Sequence, residues 1–153
     1  MVRYEIGDAT KPVGNGPRVI VHVCNDVGGW GAGFVVALSR RWKEPEALYR
    51  QWHKRGDGTF ALGEVQFVEV ERELWVANLI GQHGLRRSGR KPPVPYDAIR
   101  TGLAVVASFA EQRAASVHMP RIGAGLAGGD WHVIEEIIDQ ELGAASVVVY
   151  DLP

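Results

Sequence analysis

The feature that most constrains the fold is a glycine-rich segment near the end of the chain, residues 119–131, with the sequence MPRIGAGLAGGDW. A strand-like run over residues 115–119 precedes it, and an amphipathic run begins at Asp130. Glycines let backbone N–H groups turn towards a ligand, and a following helix adds free N–H groups and the positive end of its dipole. The segment is therefore either a diphosphate-binding loop or a tight connection that binds nothing.

This segment matches neither of the two commonest phosphate loops. A P-loop needs Lys followed by Ser or Thr after its last glycine, and neither stands there. A dinucleotide loop follows the first strand of a βαβ unit, whereas this one follows a late strand. It therefore needs a partner from elsewhere in the chain. A second glycine-rich turn, residues 25–33, follows a continuous apolar run over residues 18–24.

Hydrophobic periodicity predicts an α/β protein. The pattern favours strands at residues 2–6, 18–24, 64–70, 74–80, 115–119 and 146–150, and helices after Gly33, from Pro45, from Pro95 to about Arg113, and from Asp130 to Gly143. In the first strand, Val2, Tyr4 and Ile6 are expected on one buried face. The interleaving predicts a three-layer α/β/α fold with a central mixed sheet flanked by helices. Since ligands bind at the carboxyl ends of strands in such sheets, the two glycine-rich turns are expected to meet there.

Length and composition narrow the class of protein. The chain has 153 residues and a net charge of −1, which fits one domain over residues 1–153 and opposes broad, charge-driven binding to nucleic acid. With Cys24 as the only cysteine, no signal-peptide core and no apolar run of about 20 residues, we expect a cytoplasmic monomer without membrane contact. His22 and Cys24 share a strand face, but nothing completes a metal site, so buried packing is the favoured interpretation. We expect neither metal nor cofactor.

Three motifs in order resemble one family. They are GDAT at residues 7–10, HVCN followed by GGWGAG at residues 22–33, and PRIGAGLAGGDW at residues 120–131. Together they resemble the macrodomain family, the ADP-ribose-binding α/β/α module, over nearly the whole chain. The residues of these motifs are similar to those of one branch of the family, which contains the terminal ADP-ribose protein glycohydrolases and the antitoxin macrodomains that remove ADP-ribose from DNA.

The resemblance implies an ADP-ribose site with three parts. Asp8 and Ala9 would hold adenine, and Asn25 and Trp30 would contact the distal ribose. Backbone groups would bind the diphosphate along both turns, at Gly31, Ala32, Gly33, Ile122, Gly123, Ala124, Gly125, Leu126 and Ala127. The alternatives are structural: Asp8 as an exposed turn residue, Asn25 as a turn former and Trp30 as a core aromatic.

Two departures from the glycohydrolase pattern bear on catalysis. Gln82 stands where that branch carries a lysine, and Ala127 stands where it carries an Asp. Glutamine cannot form the covalent adduct that a lysine amine can. The catalytic candidates are therefore Asn25 and Gln82, which could orient a water, and Asp130, which either replaces the lost carboxylate or serves only as a helix N-cap.

The sequence thus predicts an ADP-ribosyl hydrolase that removes mono-ADP-ribose from a modified macromolecule. The expected partners are ADP-ribose itself and ADP-ribosylated protein (Glu/Asp-linked) or DNA (thymidine-linked). A basic run, Arg86, Arg87, Arg90 and Lys91, is either a contact for a phosphate backbone or acidic surface, or a solvated loop. The alternatives are a non-catalytic ADP-ribose reader and a small NAD-using α/β protein.

Overall fold

A computed structural model of the chain describes residues 2–85, 94–124 and 128–153. These residues form six strands and four helices, in the order β1 Val2–Ile6, β2 Arg18–Asn25, α1 Phe34–Arg41, α2 Glu44–Arg55, β3 Val65–Glu71, β4 Leu74–Gln82, α3 Tyr96–Arg113, β5 Ser116–Met119, α4 Trp131–Glu141 and β6 Val147–Asp151. The predicted elements are confirmed, with ends that differ by one or two residues. No helix within these described ranges is long and apolar enough to cross a bilayer.

The strands form one mixed sheet in the order β1-β6-β5-β2-β4-β3. Every neighbouring pair is parallel except β3 and β4, which form the predicted antiparallel hairpin. Parallel neighbours require crossover connections, and the helices supply them. Because β5, β2 and β4 are adjacent, the loops that follow their carboxyl ends emerge side by side. This topology brings the two glycine-rich turns together.

Each face of the sheet packs against its own pair of helices. On one face, side chains of α3 and α4 pack on the odd-numbered positions of the central strands, in a core that includes Val19, Leu79, Ile99, Leu103, Met119, Ile134 and Val149. On the other face, α1 and α2 enclose a second core, which includes Ile20, Trp30, Leu38, Trp42, Tyr49 and Val76. The predicted three-layer α/β/α architecture is confirmed.

The prediction of one buried face on β1 is wrong for two of its three residues. Tyr4 is 40% exposed and Ile6 is 77% exposed, while Val2 is half-buried against the core. β1 lies at the edge of the sheet, where α4 covers it only in part. The Tyr4 hydroxyl instead hydrogen-bonds Glu135 and accepts from Trp131 Nε1 at the rim of α4.

Candidate functional site

A cleft opens where the two glycine-rich turns meet, at the carboxyl ends of β2, β4 and β5. We call residues 25–33 the first glycine loop and residues 120–130 the second. The cleft comprises two adjoining cavities of about 390 and 230 Å³. The first glycine loop lines the larger cavity, and both loops line the smaller one. Four residues line both cavities: Val23, Ala32, Val35 and Gln82.

The amide of Asn25 organises the first glycine loop. Its Oδ1 accepts from the N–H groups of Val27 at 3.0 Å and Gly29 at 2.9 Å. Its Nδ2 donates to Gly29 O at 2.8 Å. Two backbone donors can only face an oxygen, so the orientation of the amide is fixed. Asn25 is thus the turn former of the structural alternative, and it also lines the larger cavity.

Helix α2 supports this loop from behind, through contacts that sequence reasoning missed. The Tyr49 hydroxyl lies 2.6 Å from Asn25 O and 2.9 Å from Asn25 Oδ1, and Arg50 donates to Gly28 O at 3.1 Å. Tyr49 is fully buried, and burial is the main cause that raises its pKa above the ordinary value. Helical periodicity carries no signal for a hydroxyl bond across 24 positions of sequence.

Gln82 lies at the end of β4, beside Asn25. The two are paired across β2 and β4 just after a register shift, and Gln82 lines both cavities. Its Nε2 donates to Gly84 O at 2.9 Å. Asp26 ties the same two strand ends together, because it accepts from Gly84 N–H at 2.8 Å and contacts His83 Nδ1 at 2.7 Å. Partial burial raises the pKa of Asp26, but these hydrogen bonds outweigh it, and the net pKa lies below its usual value.

The second glycine loop presents backbone to the cleft. Gly123 has φ 70°, which favours glycine, and the N–H of Gly129 donates to Gly123 O at 2.8 Å, so the loop closes on itself. Ile122, Gly123 and Ala124 line the smaller cavity. The side chain of Arg121 forms a bidentate pair with Asp151 at 2.7 and 3.0 Å. The predicted ligand residues Gly125, Leu126 and Ala127 lie outside the described residues.

The first loop reaches the same cleft through Gly31, Ala32 and Gly33. Gly31 and Ala32 line the larger cavity, and Ala32 and Gly33 line the smaller one. Gly33 has φ 77° and directly precedes α1, which has no acidic residue in its first turn. The first turn of α1 thus lines the smaller cavity at Phe34 and Val35, and it carries no carboxylate that would compete for its N–H groups.

Asp8 lies in the loop after β1 and forms a local turn. Its Oδ1 accepts from Thr10 N–H at 2.8 Å and from the Thr10 hydroxyl at 2.7 Å. Partial burial raises the pKa of Asp8, but the two Thr10 hydrogen bonds outweigh it and lower the net pKa. The carboxylate therefore stays ionised, with Oδ2 free of hydrogen bonds to the described residues. Ala9 is buried against Val148, Tyr150 and Phe34.

Trp30 is a core aromatic that also borders the larger cavity. It is 8% exposed, its Nε1 donates to Ser39 Oγ at 2.8 Å, and its ring packs against Tyr49 and edge-on against His22. It is therefore a core aromatic. The same residue lines the larger cavity, so one part of it also forms the cavity wall.

Asp130 lies at the far end of the second glycine loop and caps α4. Its Oδ1 accepts from His132 N–H at 2.9 Å, and its own N–H donates to the Tyr96 hydroxyl at 2.9 Å. Asp130 is not among the residues that line the described cleft. The four residues of the basic run, Arg86, Arg87, Arg90 and Lys91, lie outside the described residues.

His22 and Cys24 pack beneath the cleft. His22 Nε2 hydrogen-bonds Asn78 Oδ1, and since Asn78 Nδ2 donates to Pro45 O, this oxygen accepts and His22 carries its proton on Nε2. Burial lowers the pKa of His22 to about 4, against a smaller opposite effect of the Asn78 bond. Burial raises the pKa of Cys24, which disfavours a thiolate. Across residues 2–85, 94–124 and 128–153, no group of three His, Cys, Asp or Glu side chains could hold a metal.

Comparison with known proteins identifies the family. A macrodomain protein from Streptomyces coelicolor is 52% identical, with a TM-score of 0.88 and 99% of each chain covered. A protein of unknown function from Bacteroides thetaiotaomicron is 55% identical, with a TM-score of 0.93 over 99% of this chain and 98% of that one. No protein-family model matches the sequence. The chain belongs to the macrodomain family.

Two further relatives extend the comparison. The chromodomain-helicase-DNA-binding protein 1-like of Mus musculus is 31% identical over 159 residues, which cover 97% of this chain but only 17% of that protein. Thermosipho africanus DarTG in complex with ADP-ribose shares the fold, with 16% identity and a TM-score of 0.71 over 90% of this chain and 38% of that one. This chain thus spans a small part of the length of the mouse relative.

Proposed function

We propose that this chain binds ADP-ribose in the cleft between the two glycine loops and hydrolyses the bond that joins mono-ADP-ribose to a macromolecule. The observation that carries the proposal is the meeting of the two loops around Gln82, the one residue with a side-chain amide that lines both described cavities. Binding and hydrolysis rest on different parts of this arrangement.

Binding rests on the backbone of the two loops. A diphosphate needs several convergent donors, and the start of α1 at Gly33 together with the loop at Gly123 supplies N–H groups on both sides of the smaller cavity. The ionised Asp8, with one oxygen free of the described residues, suits the amino group of adenine. The complex of the Thermosipho protein with ADP-ribose supports this ligand, since it shares the fold.

Hydrolysis rests on Gln82. One N–H of Nε2 is taken by Gly84 O, which leaves Oε1 and the second N–H for a water molecule above the anomeric carbon of the distal ribose. Asn25 offers a further donor, the second N–H of its Nδ2. An amide that orients a water acts mainly in the transition state, so it lowers the barrier without tightening substrate binding. Without a lysine at this position, the reaction proceeds by direct attack of water rather than through a lysyl adduct.

A pair of measurements tests the proposal. Calorimetry should give tighter binding of ADP-ribose than of NAD, since the attached nicotinamide occupies the place of the water. Incubation with separately prepared Glu-linked, Ser-linked and DNA-linked ADP-ribose should release ADP-ribose from at least one of them. Binding without release from any of the three would leave a reader module, and tighter binding of NAD would favour the NAD-using alternative.

Variants of Gln82 distinguish a role in catalysis from a general disturbance of the structure. Gln82→Ala should slow release by about 10²-fold, the scale of a misplaced reactant, with ADP-ribose affinity changed less than threefold. Gln51→Ala, an exposed glutamine on α2, is the matched control and should behave as wild type. A lysine-linked species trapped by borohydride and detected by mass spectrometry would contradict the water mechanism.

A further inference from the structure

We propose that Tyr49 is a positioning residue of the cleft, which holds the main chain and the amide of Asn25 in place, so that the amide presents an N–H donor, and not an acceptor, to the ligand. The inference rests on the proposed function, because it takes the distal ribose of ADP-ribose as the group that meets this donor. It follows from the hydrogen bonds around one side chain and from the packing that holds the partner hydroxyl in place.

The acceptor capacity of Asn25 is fully used inside the protein. The N–H groups of Val27 and Gly29 donate to Oδ1 at 3.0 and 2.9 Å, and the hydroxyl of Tyr49 lies 2.9 Å from the same oxygen. An amide oxygen has two lone pairs, so no capacity remains for a ligand donor. One N–H of Nδ2 donates to Gly29 O, so only the other N–H can donate to a ligand in the cleft.

The packing of the Tyr49 ring holds its hydroxyl in place. Tyr49 is fully buried, and its ring packs between Trp30 at 5.4 Å and Phe60 at 5.5 Å between ring centroids. The single proton of this hydroxyl is shared between Asn25 Oδ1 and the backbone oxygen of Asn25, which is nearer at 2.6 Å, so Tyr49 contacts both the main chain and the side chain of the same residue. Helix α2 thereby holds the loop and the amide together.

This support has a chemical consequence. The terminal torsion of an asparagine is broad, so an amide in a loosened loop could turn and offer its oxygen to the ligand. With the oxygen saturated, Asn25 can only donate. A lone donor recognises an oxygen acceptor, such as a ribose hydroxyl or a water that attacks the anomeric carbon. The geometry therefore selects an oxygen-rich ligand at the end of the cleft next to Gln82.

The first experiment needs no ligand. In ligand-free Tyr49→Phe, amide hydrogen exchange at Val27 and Gly29 should quicken about tenfold, because the main chain of Asn25 loses its bond to α2 and the loop loosens. The phenylalanine keeps the ring and its packing, and a melting temperature of the variant close to that of wild type would show that the packing is kept. Unchanged exchange at both amides would overturn the inference, whatever the protein binds.

The second experiment measures binding. Tyr49→Phe should weaken ADP-ribose by about tenfold and leave ADP unaffected, since ADP lacks the distal ribose. Tyr150→Phe is the matched control: its hydroxyl accepts from Val13 N–H at 2.9 Å in the loop after Asp8, so both ligands should weaken. Equal losses for ADP and ADP-ribose in Tyr49→Phe would reduce Tyr49 to a purely structural residue.

A double-mutant cycle shows whether Tyr49 acts through Asn25. In an Asn25→Ala background, where only the bond to the backbone oxygen remains, Tyr49→Phe should cause a smaller loss of ADP-ribose affinity than in wild type, and a fully additive loss would contradict the inference. Asn25→Asp, which turns the free donor into an acceptor while Tyr49 stays intact, should lose as much affinity as Asn25→Ala. If wild type binds neither ligand, the proposed function fails, while the amide-exchange result still decides the role of Tyr49.

Discussion

Replacement of Asp130 distinguishes between two roles of this residue, a helix cap and a general base. The carboxylate accepts one bond from His132 N–H at 2.9 Å and does not line the described cleft. Asparagine caps a helix about as well as aspartate, so Asp130→Asn should lose only the charge–dipole contribution, about 0.5 kcal/mol at an exposed site. Asp130→Ala loses the capping bond as well, and the free energy of unfolding should fall by about 1–1.5 kcal/mol.

The rates distinguish the two roles more sharply than the stabilities. As a cap, Asp130→Asn should release ADP-ribose within about twofold of the wild-type rate, whereas loss of a general base costs about 10²–10⁴-fold. Urea unfolding followed by tryptophan fluorescence gives the stability, and product release gives the rate. Asp139→Asn removes the same charge from an exposed position near the other end of α4 and serves as the control. A loss of 10²-fold or more in a stably folded Asp130→Asn would refute the cap.

Three further predictions concern the ligand loops and the buried histidines. A Cβ at Gly129 would lie 2.3 Å from Gly123 O, so Gly129→Ala should open the second loop and weaken ADP-ribose at least about tenfold by calorimetry, with about 1 kcal/mol lost from unfolding. Asp8→Ala should lose on the order of 1.5–3 kcal/mol of ADP-ribose affinity, and Asp8→Asn, which keeps the turn acceptor, should show how much of this depends on charge. Burial lowers the pKa of His22 and His118 to about 4, so the unfolded chain binds more protons than the folded one below about pH 6.5. The free energy of unfolding should therefore fall as the pH drops from about 6.5 to about 4, by roughly 3 kcal/mol at most for each histidine. A urea midpoint that stays constant over this range would contradict the prediction.

The sequence predicted the parts of the site that depend on local backbone chemistry. Glycines after strand-like runs marked both loops, and the three-layer arrangement followed from the alternation of elements. What it could not predict depends on contacts distant in sequence. Nothing local says that Arg121 pairs with Asp151, 30 positions away, instead of facing the diphosphate. Likewise, the exposure of Ile6 follows from its place on an edge strand, which the apolar character of the residue does not reveal.

The loops that surround the cleft share one kind of support. Three tyrosine hydroxyls from the scaffold each hold the backbone of a different loop: Tyr49 donates to Asn25 O, Tyr96 accepts from Asp130 N–H, and Tyr150 accepts from Val13 N–H. The affinity of a cleft that binds through backbone donors depends on how well its loops are held before binding. Each hydroxyl acts on a separate loop. Their losses should therefore add, unlike the loss shared by Tyr49 and Asn25, which lie in direct contact.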